Sequence, residues 1–117
     1  MSTLHQFLDG LAARPDVDAV MVLSADGLPI HSAGRGKLDT DAVAALAASF
    51  ASGAARLGGA AACESFTASI LEYQDRLVVV RPMGREGHLF VLGAARTNLG
   101  PLLYDLRQQG PSLAALL

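Results

Sequence analysis

The chain has 117 residues, one domain's worth; 51% are hydrophobic and only 17% charged, against about 25% charged in an average globular domain. Its net charge is −2 with no run of like charge, which argues against a nucleic-acid partner, and the single cysteine, Cys63, excludes an internal disulfide framework. Residues 1–10 lack the apolar stretch of a signal peptide, and no apolar run reaches the ~18–20 residues of a membrane span without Gly or Ser interrupting it. The expected location is therefore the cytoplasm, with no membrane insertion.

Leu4, Phe7, Leu8 and Leu11 recur at helical spacing, so residues 3–13 are expected to form a helix capped by Ser2 or Thr3 and ended by Pro15. Residues 17–23 read as a first strand. Asp26-Gly27 supplies the positive φ of a tight turn, and residues 28–32 form a second strand. Pro29 lacks a ladder donor, which places that strand at a sheet edge. A long helix of about 18 residues follows, capped by Asp39 or Thr40 and ending before Gly58-Gly59. Residues 64–73, 76–81 and 88–93 then read as three strands joined by turns. Asn98 caps a last helix with Pro101 in its first turn. Its apolar face is Leu99, Leu102, Leu103, Leu106, Leu113, Leu116 and Leu117, and Gly110-Pro111 is expected to break or kink it.

The order α-β-β-α-β-β-β-α with short turns predicts an α+β fold whose five-stranded sheet is mainly antiparallel, as one domain over residues 1–117. Leu77-Val78-Val79-Val80 and Leu89-Phe90-Val91-Leu92 are continuously apolar rather than alternating. Strands of that kind are covered on both faces, so helices are expected on both sides of the sheet.

The central helix is unusual. From residue 42 to 55 it has no charged side chain, whereas a surface helix normally pairs an apolar stripe with a charged face. The stripe Val43, Leu46, Ala47, Phe50, Ala54 and Leu57 is assigned to the domain's own sheet. The opposite face, Ala44, Ala45, Ala48, Ser49, Ala51, Ser52 and Ala55, is made of small residues that let a second backbone approach, and is assigned to another chain. If the first and fifth strands are neighbours, the second and third are edges. The third, with Ser65, Thr67, Ser69 and Leu71, carries no Pro, Lys or Arg between residues 65 and 71. Such an edge invites pairing, and a two-fold pair with its own copy is the commonest arrangement. The expected dimer interface is Ala44, Ala45, Ala48, Ser52 and Ala55 on the helix with Ser65, Thr67, Ser69 and Leu71 on the strand.

No catalytic, cofactor or metal site is expected. In the segment Gly34-Arg35-Gly36-Lys37, Leu38 replaces the Ser/Thr of a phosphate loop, and His31 stands where its first glycine belongs. His5, His31 and His88 lie far apart, without Cys or carboxylate at ligand spacing. Cys63 reads as a buried structural thiol, and Glu64 and Glu72 as solvated charges beside the third strand, with an ion pair at the rim of a dimer as the alternative.

The segment Val17-Asp18-Ala19-Val20-Met21-Val22-Leu23, followed by Asp26-Gly27-Leu28-Pro29-Ile30, and the opening Thr97-Asn98-Leu99-Gly100 of the last helix resemble the roadblock/dynein light chain family, in particular its bacterial mutual-gliding-protein-B type. The resemblance implies a profilin-like sandwich and a non-enzymatic homodimer that binds a Ras-like small GTPase and modulates its nucleotide cycle or location. It also implies that residues 41–57 and 65–71 carry dimerisation, with Asp41, Ala45, Ser49, Ser52 and Arg56 meeting the partner. Arg35, Arg56 and Arg85 read as solvated side chains rather than fingers inserted into a GTPase. The competing expectation is a small-ligand sensor of PAS-like type, which requires a roomy pocket; the scarcity of aromatics (5%) counts against it.

Overall fold

The computed structural model describes residues 3–35, 37–95 and 99–115. Its elements run α1 (Thr3–Ala12), β1 (Val17–Ser24), β2 (Pro29–Gly34), α2 (Thr40–Ala60), β3 (Ser69–Glu72), β4 (Arg76–Met83), β5 (Gly87–Ala94) and α3 (Leu99–Ala114). The expected order holds. The strands form one antiparallel sheet in the order β2-β1-β5-β4-β3. The second and third strands are therefore the edges, and Pro29 opens an edge strand. Alternation across the pleat divides the core in two. Val17, Val20, Val22, Val79, Leu89 and Val91 face Leu8 and Leu11 of α1 and Leu102 and Leu106 of α3. Met21, Leu23, Val80 and Phe90 face Ala44, Ala47 and Ala51 of α2. Helices thus lie on both sides, and β4 and β5 are buried because each has a helix layer above and below.

Several local expectations are corrected. The third strand is only four residues long, so Ser65 and Thr67 precede it in irregular chain. The central helix runs 21 residues, through Gly53, Gly58 and Gly59. It is thus long and apolar enough, by length and composition alone, to cross a bilayer, although here it lies across the sheet on three buried alanines. The last helix continues past Gly110 and contains Pro111. Ala115 N–H still donates to the Pro111 carbonyl at 3.3 Å. Pro111 is on the exposed side, so the Arg107 carbonyl that loses its partner faces water rather than the core. The proposed caps Ser2 and Asn98, and Leu116 and Leu117, lie outside the described residues.

Candidate interaction surface on the central helix

The start of α2 is set by Asp39, whose carboxylate accepts from the Ala42 N–H at 3.2 Å. This satisfies one of the orphan amides of the first turn. Its end is closed by a six-residue bonding pattern. Ala62 sits at φ +60, Cys63 N–H donates to the Gly58 carbonyl at 2.8 Å, and Ala62 N–H donates to the Gly59 carbonyl at 3.1 Å. This is a Schellman motif with alanine at the left-handed position where glycine is usual.

The face that α2 turns to its own domain is rotated from the one expected: Ala47 of the expected stripe is buried and Val43 and Ala54 are half-buried, but its large side chains are not covered. Ala44, Ala47 and Ala51 are buried, while Leu46 and Leu57 are 70% and 71% exposed and Phe50 is 37% exposed. The cause is the β1–β2 turn. A Cβ on Gly27, which has φ +89, would lie 3.2 Å from Ala45 Cα and 3.3 Å from Ala48 Cβ. The helix backbone therefore rests directly on the hairpin, and only small side chains fit beneath it. The large side chains are displaced to a flank rotated roughly a quarter-turn from the buried alanines. Of the expected dimer residues, Ala44 is covered by the chain's own sheet and Ala48 is half-buried beside Gly27. Ala45, Ser52 and Ala55 are exposed, as are Ser65 and Thr67, and Ser69 and Leu71 are half-buried on the edge strand. Asp41, Ala45, Ser49, Ser52 and Arg56 all lie exposed on α2, on the flank opposite the displaced leucines.

The displaced side chains form one wall of an open apolar groove of about 580 Å³. Leu46, Phe50 and Val43 line one side, and Leu71, Tyr73, Val78 and Leu92 the other. Sequence reasoning missed this groove because it assigned Leu46 and Phe50 inward. The available signal was Gly27 together with alanines at i, i+3, i+4 and i+7, a close-approach pattern rather than a solvent face.

A second cleft, about 620 Å³, lies under the C-terminal half of α2 and is lined by Ser52, Ala55, Cys63, Glu64, Ser65 and His88 among others. Cys63 is exposed rather than buried, because the Schellman turn carries it outward. The His88 Nδ1 is shielded from solvent without a hydrogen-bond partner, and burial pushes the imidazole below its ordinary value. His5 and His31, remote in sequence, bring their rings within 4.2 Å where α1 crosses β2. Arg35 donates to the Arg14 and Val17 carbonyls at 3.0 and 2.9 Å, while Arg56 and Arg85 are exposed. Among the described residues there is no group of three or more His, Cys, Asp or Glu that could hold a metal.

These features define an α/β/α sandwich whose most developed surface is an apolar groove between a helix and a sheet edge, the equipment of a protein-interaction domain. The chain belongs to the Roadblock/LC7 domain family, whose model matches residues 4–93. Its fold is that of a Roadblock/LC7 domain from Streptomyces avermitilis, with 25% identity, 97% of each chain covered and TM-score 0.87. It is also that of Myxococcus xanthus MglB, with 20% identity, 99% of this chain and 95% of that one covered and TM-score 0.89. MglC from Myxococcus xanthus is more distant, at 18% identity and TM-score 0.67 over 99% of this chain and all of that one. No curated protein sequence matches the chain.

Proposed function

We propose that this chain, as one domain over residues 1–117, is a non-enzymatic cytoplasmic regulator or scaffold. It acts as a homodimer that binds a Ras-like small GTPase and modulates its nucleotide cycle or its location. The observation that carries the reading is the exposed Leu46-Phe50-Leu57 flank beside the open edge of β3. Contiguous exposed apolar surface of this kind marks an interaction site, and one isologous contact would cover both the flank and the edge. Membership of the Roadblock/LC7 family supports a regulatory or scaffolding role over a catalytic one. Among the solved relatives, one MglB has a tetrameric arrangement, which supports self-association here.

In this reading Leu46, Phe50 and Leu57 replace Ala44 as the apolar centre of the dimer, and Ser69 and Leu71 contribute from the strand. The polar flank Asp41, Ala45, Ser49, Ser52 and Arg56 is left free for the GTPase. The test has two parts. Light scattering at micromolar concentration should give twice the chain mass of 12.1 kDa. Immobilised protein should retain a Ras-like GTPase from the native cell extract in a manner that depends on added GTP or GDP. A mass of one chain removes the dimer, and failure to retain any GTPase removes the partner.

The groove favours a second reading, a small-ligand sensor. Its volume falls within the ~300–1,000 Å³ of ligand pockets, and Phe50, Tyr73 and Phe90, half of the chain's six Phe and Tyr residues, line it. Its openness favours a protein occupant. A monomer whose melting temperature rises with an apolar ligand from a metabolite extract would favour the sensor.

A further inference from the structure

The edge strand has a polarity that determines how a second copy can add to it. Tyr73 N–H donates to the Arg76 carbonyl at 2.8 Å, and the ladder runs Leu71↔Val78, Ile70↔Val79, Ser69↔Val80. In an antiparallel ladder the residues that bond to a given neighbour alternate. Tyr73, Leu71 and Ser69 therefore direct their peptide groups to β4, and Ala68, Ile70 and Glu72 direct theirs to the open side. The side chains alternate as well. Val79 belongs to the α1/α3 core, so Ile70, Glu72 and Ala68 are on that face of the sheet.

Arg81 is on the same face, in the same cross-strand row as Ala68, one step beyond Ser69↔Val80. It is half-buried, and its Nη1 donates to the Thr67 carbonyl at 3.3 Å. Its Nε lies 3.8 Å from where a Cβ on Gly110 of α3 would be. The neighbouring charge is Arg107, one turn earlier on α3; burial and that like charge together push Arg81 below its ordinary value. Among the described residues no carboxylate pairs with either arginine. A part-buried guanidinium beside a second one favours an incoming anion.

Consider a second copy added antiparallel across β3 about a two-fold axis perpendicular to the sheet. Such an axis keeps each side chain on its own face, so only registers in which some residue meets its own copy are possible. We propose that the chain self-associates in the register centred on Ile70, and that Arg81 of each copy there pairs with Glu72 of the other, reaching across the small Ala68. In this register Ile70 meets its copy and Ala68 stands opposite Glu72 of the second copy. Arg81, Ala68 and that Glu72 then form one row spanning two strand spacings of about 4.8 Å each. Alanine in the middle leaves the row open to the two long side chains. The symmetry makes two such pairs per dimer, each joining an unpaired cation to an exposed carboxylate. Centring on Leu71 instead would place Gln74 of the second copy in the Arg81 row and leave the arginine without an anion. The inference rests on the self-association proposed above and specifies its geometry.

Two measurements test it, both on the full chain. In a Cys63→Ser background, Ile70→Cys should form a disulfide-linked dimer on mild oxidation, because facing hydrogen-bonded residues have Cα atoms about 5.5 Å apart. Leu71→Cys should not, since its two copies would be offset to roughly 8 Å. Separately, Arg81→Glu and Glu72→Arg should each weaken dimerisation by about fivefold or more in sedimentation equilibrium. The double variant should recover most of the wild-type affinity. Cross-linking through Leu71→Cys but not Ile70→Cys overturns the register. A double variant no tighter than the weaker single variant overturns the ion pair. A wild-type chain that sediments as a monomer overturns self-association itself.

Discussion

At the scale of single residues, two positions carry a cost that can be measured. Ala62 holds a left-handed conformation to close α2, and an L-residue there is disfavoured by about 1–2 kcal/mol relative to glycine. Ala62→Gly should therefore stabilise the fold by about 0.5–1 kcal/mol after the entropy of the added glycine is subtracted, read as a higher urea midpoint. An unchanged or lower midpoint would show that the turn is not strained. His88 supplies a pH dependence. Burial lowers its folded-state pKa below the ordinary 6.5, so the unfolded chain binds the proton more readily. Stability attributable to this group is complete above pH 6.5 and falls as pH drops below it. Urea titrations at pH 7.5 and 5.5 should show the loss in the wild type and a smaller one in His88→Gln. Equal slopes would remove His88 as the cause.

At the scale of elements, α2 is where the residue pattern misleads. A rule that ranks side chains by size buries Leu46 and Phe50. The structure buries Ala44, Ala47 and Ala51, because contact with the Gly27 turn fixes how close the helix axis lies. The two readings make opposite predictions. Ala47→Leu should destabilise the fold by about 1–3 kcal/mol through overpacking. Leu46→Glu combined with Phe50→Glu should leave the melting temperature of the isolated domain nearly unchanged and weaken self-association at least about tenfold. Calorimetry and sedimentation on the same samples separate the two effects; a double glutamate variant that unfolds would return Leu46 and Phe50 to the core. The shortened β3 has a related origin. Phe66 and Thr67 favour extended chain, but extended chain becomes a strand only where it has a neighbour, and the ladder between β3 and β4 runs only from Ser69↔Val80 to Glu72↔Leu77.

At the scale of the whole molecule, the sheet order leaves β1, β5 and β4 with neighbours on both sides and β2 and β3 with one. Hydrogen exchange should accordingly be slowest in β1 and β5. The outward amides of Ile70 and Glu72 should exchange quickly in dilute solution and slow as concentration rises, if the edge is covered by a second copy. Fast exchange at every concentration would mean that β3 stays an open edge. Arg14 and Asp105, 2.7 Å apart, tie the end of α1 to α3 on the face of the sheet opposite α2. The groove and the β3 edge are adjacent on the side of the sheet that carries α2.

The sequence by itself determined what depends on local chemistry and pairwise pattern. Periodicity and turn residues specified all eight elements in order, Pro29 marked an edge strand, and unbroken apolar runs marked the strands covered twice. Asp39, Gly27 and the small-residue cluster were visible as cap, turn and anomaly. Only the tertiary structure decided which way the anomaly faces, since that depends on the distance between α2 and a hairpin about 18 residues earlier, a quantity no local pattern contains. Likewise only the fold set Arg81 in line with the β3 edge, because register, not sequence separation, places a side chain on β4 in the same row as Ala68.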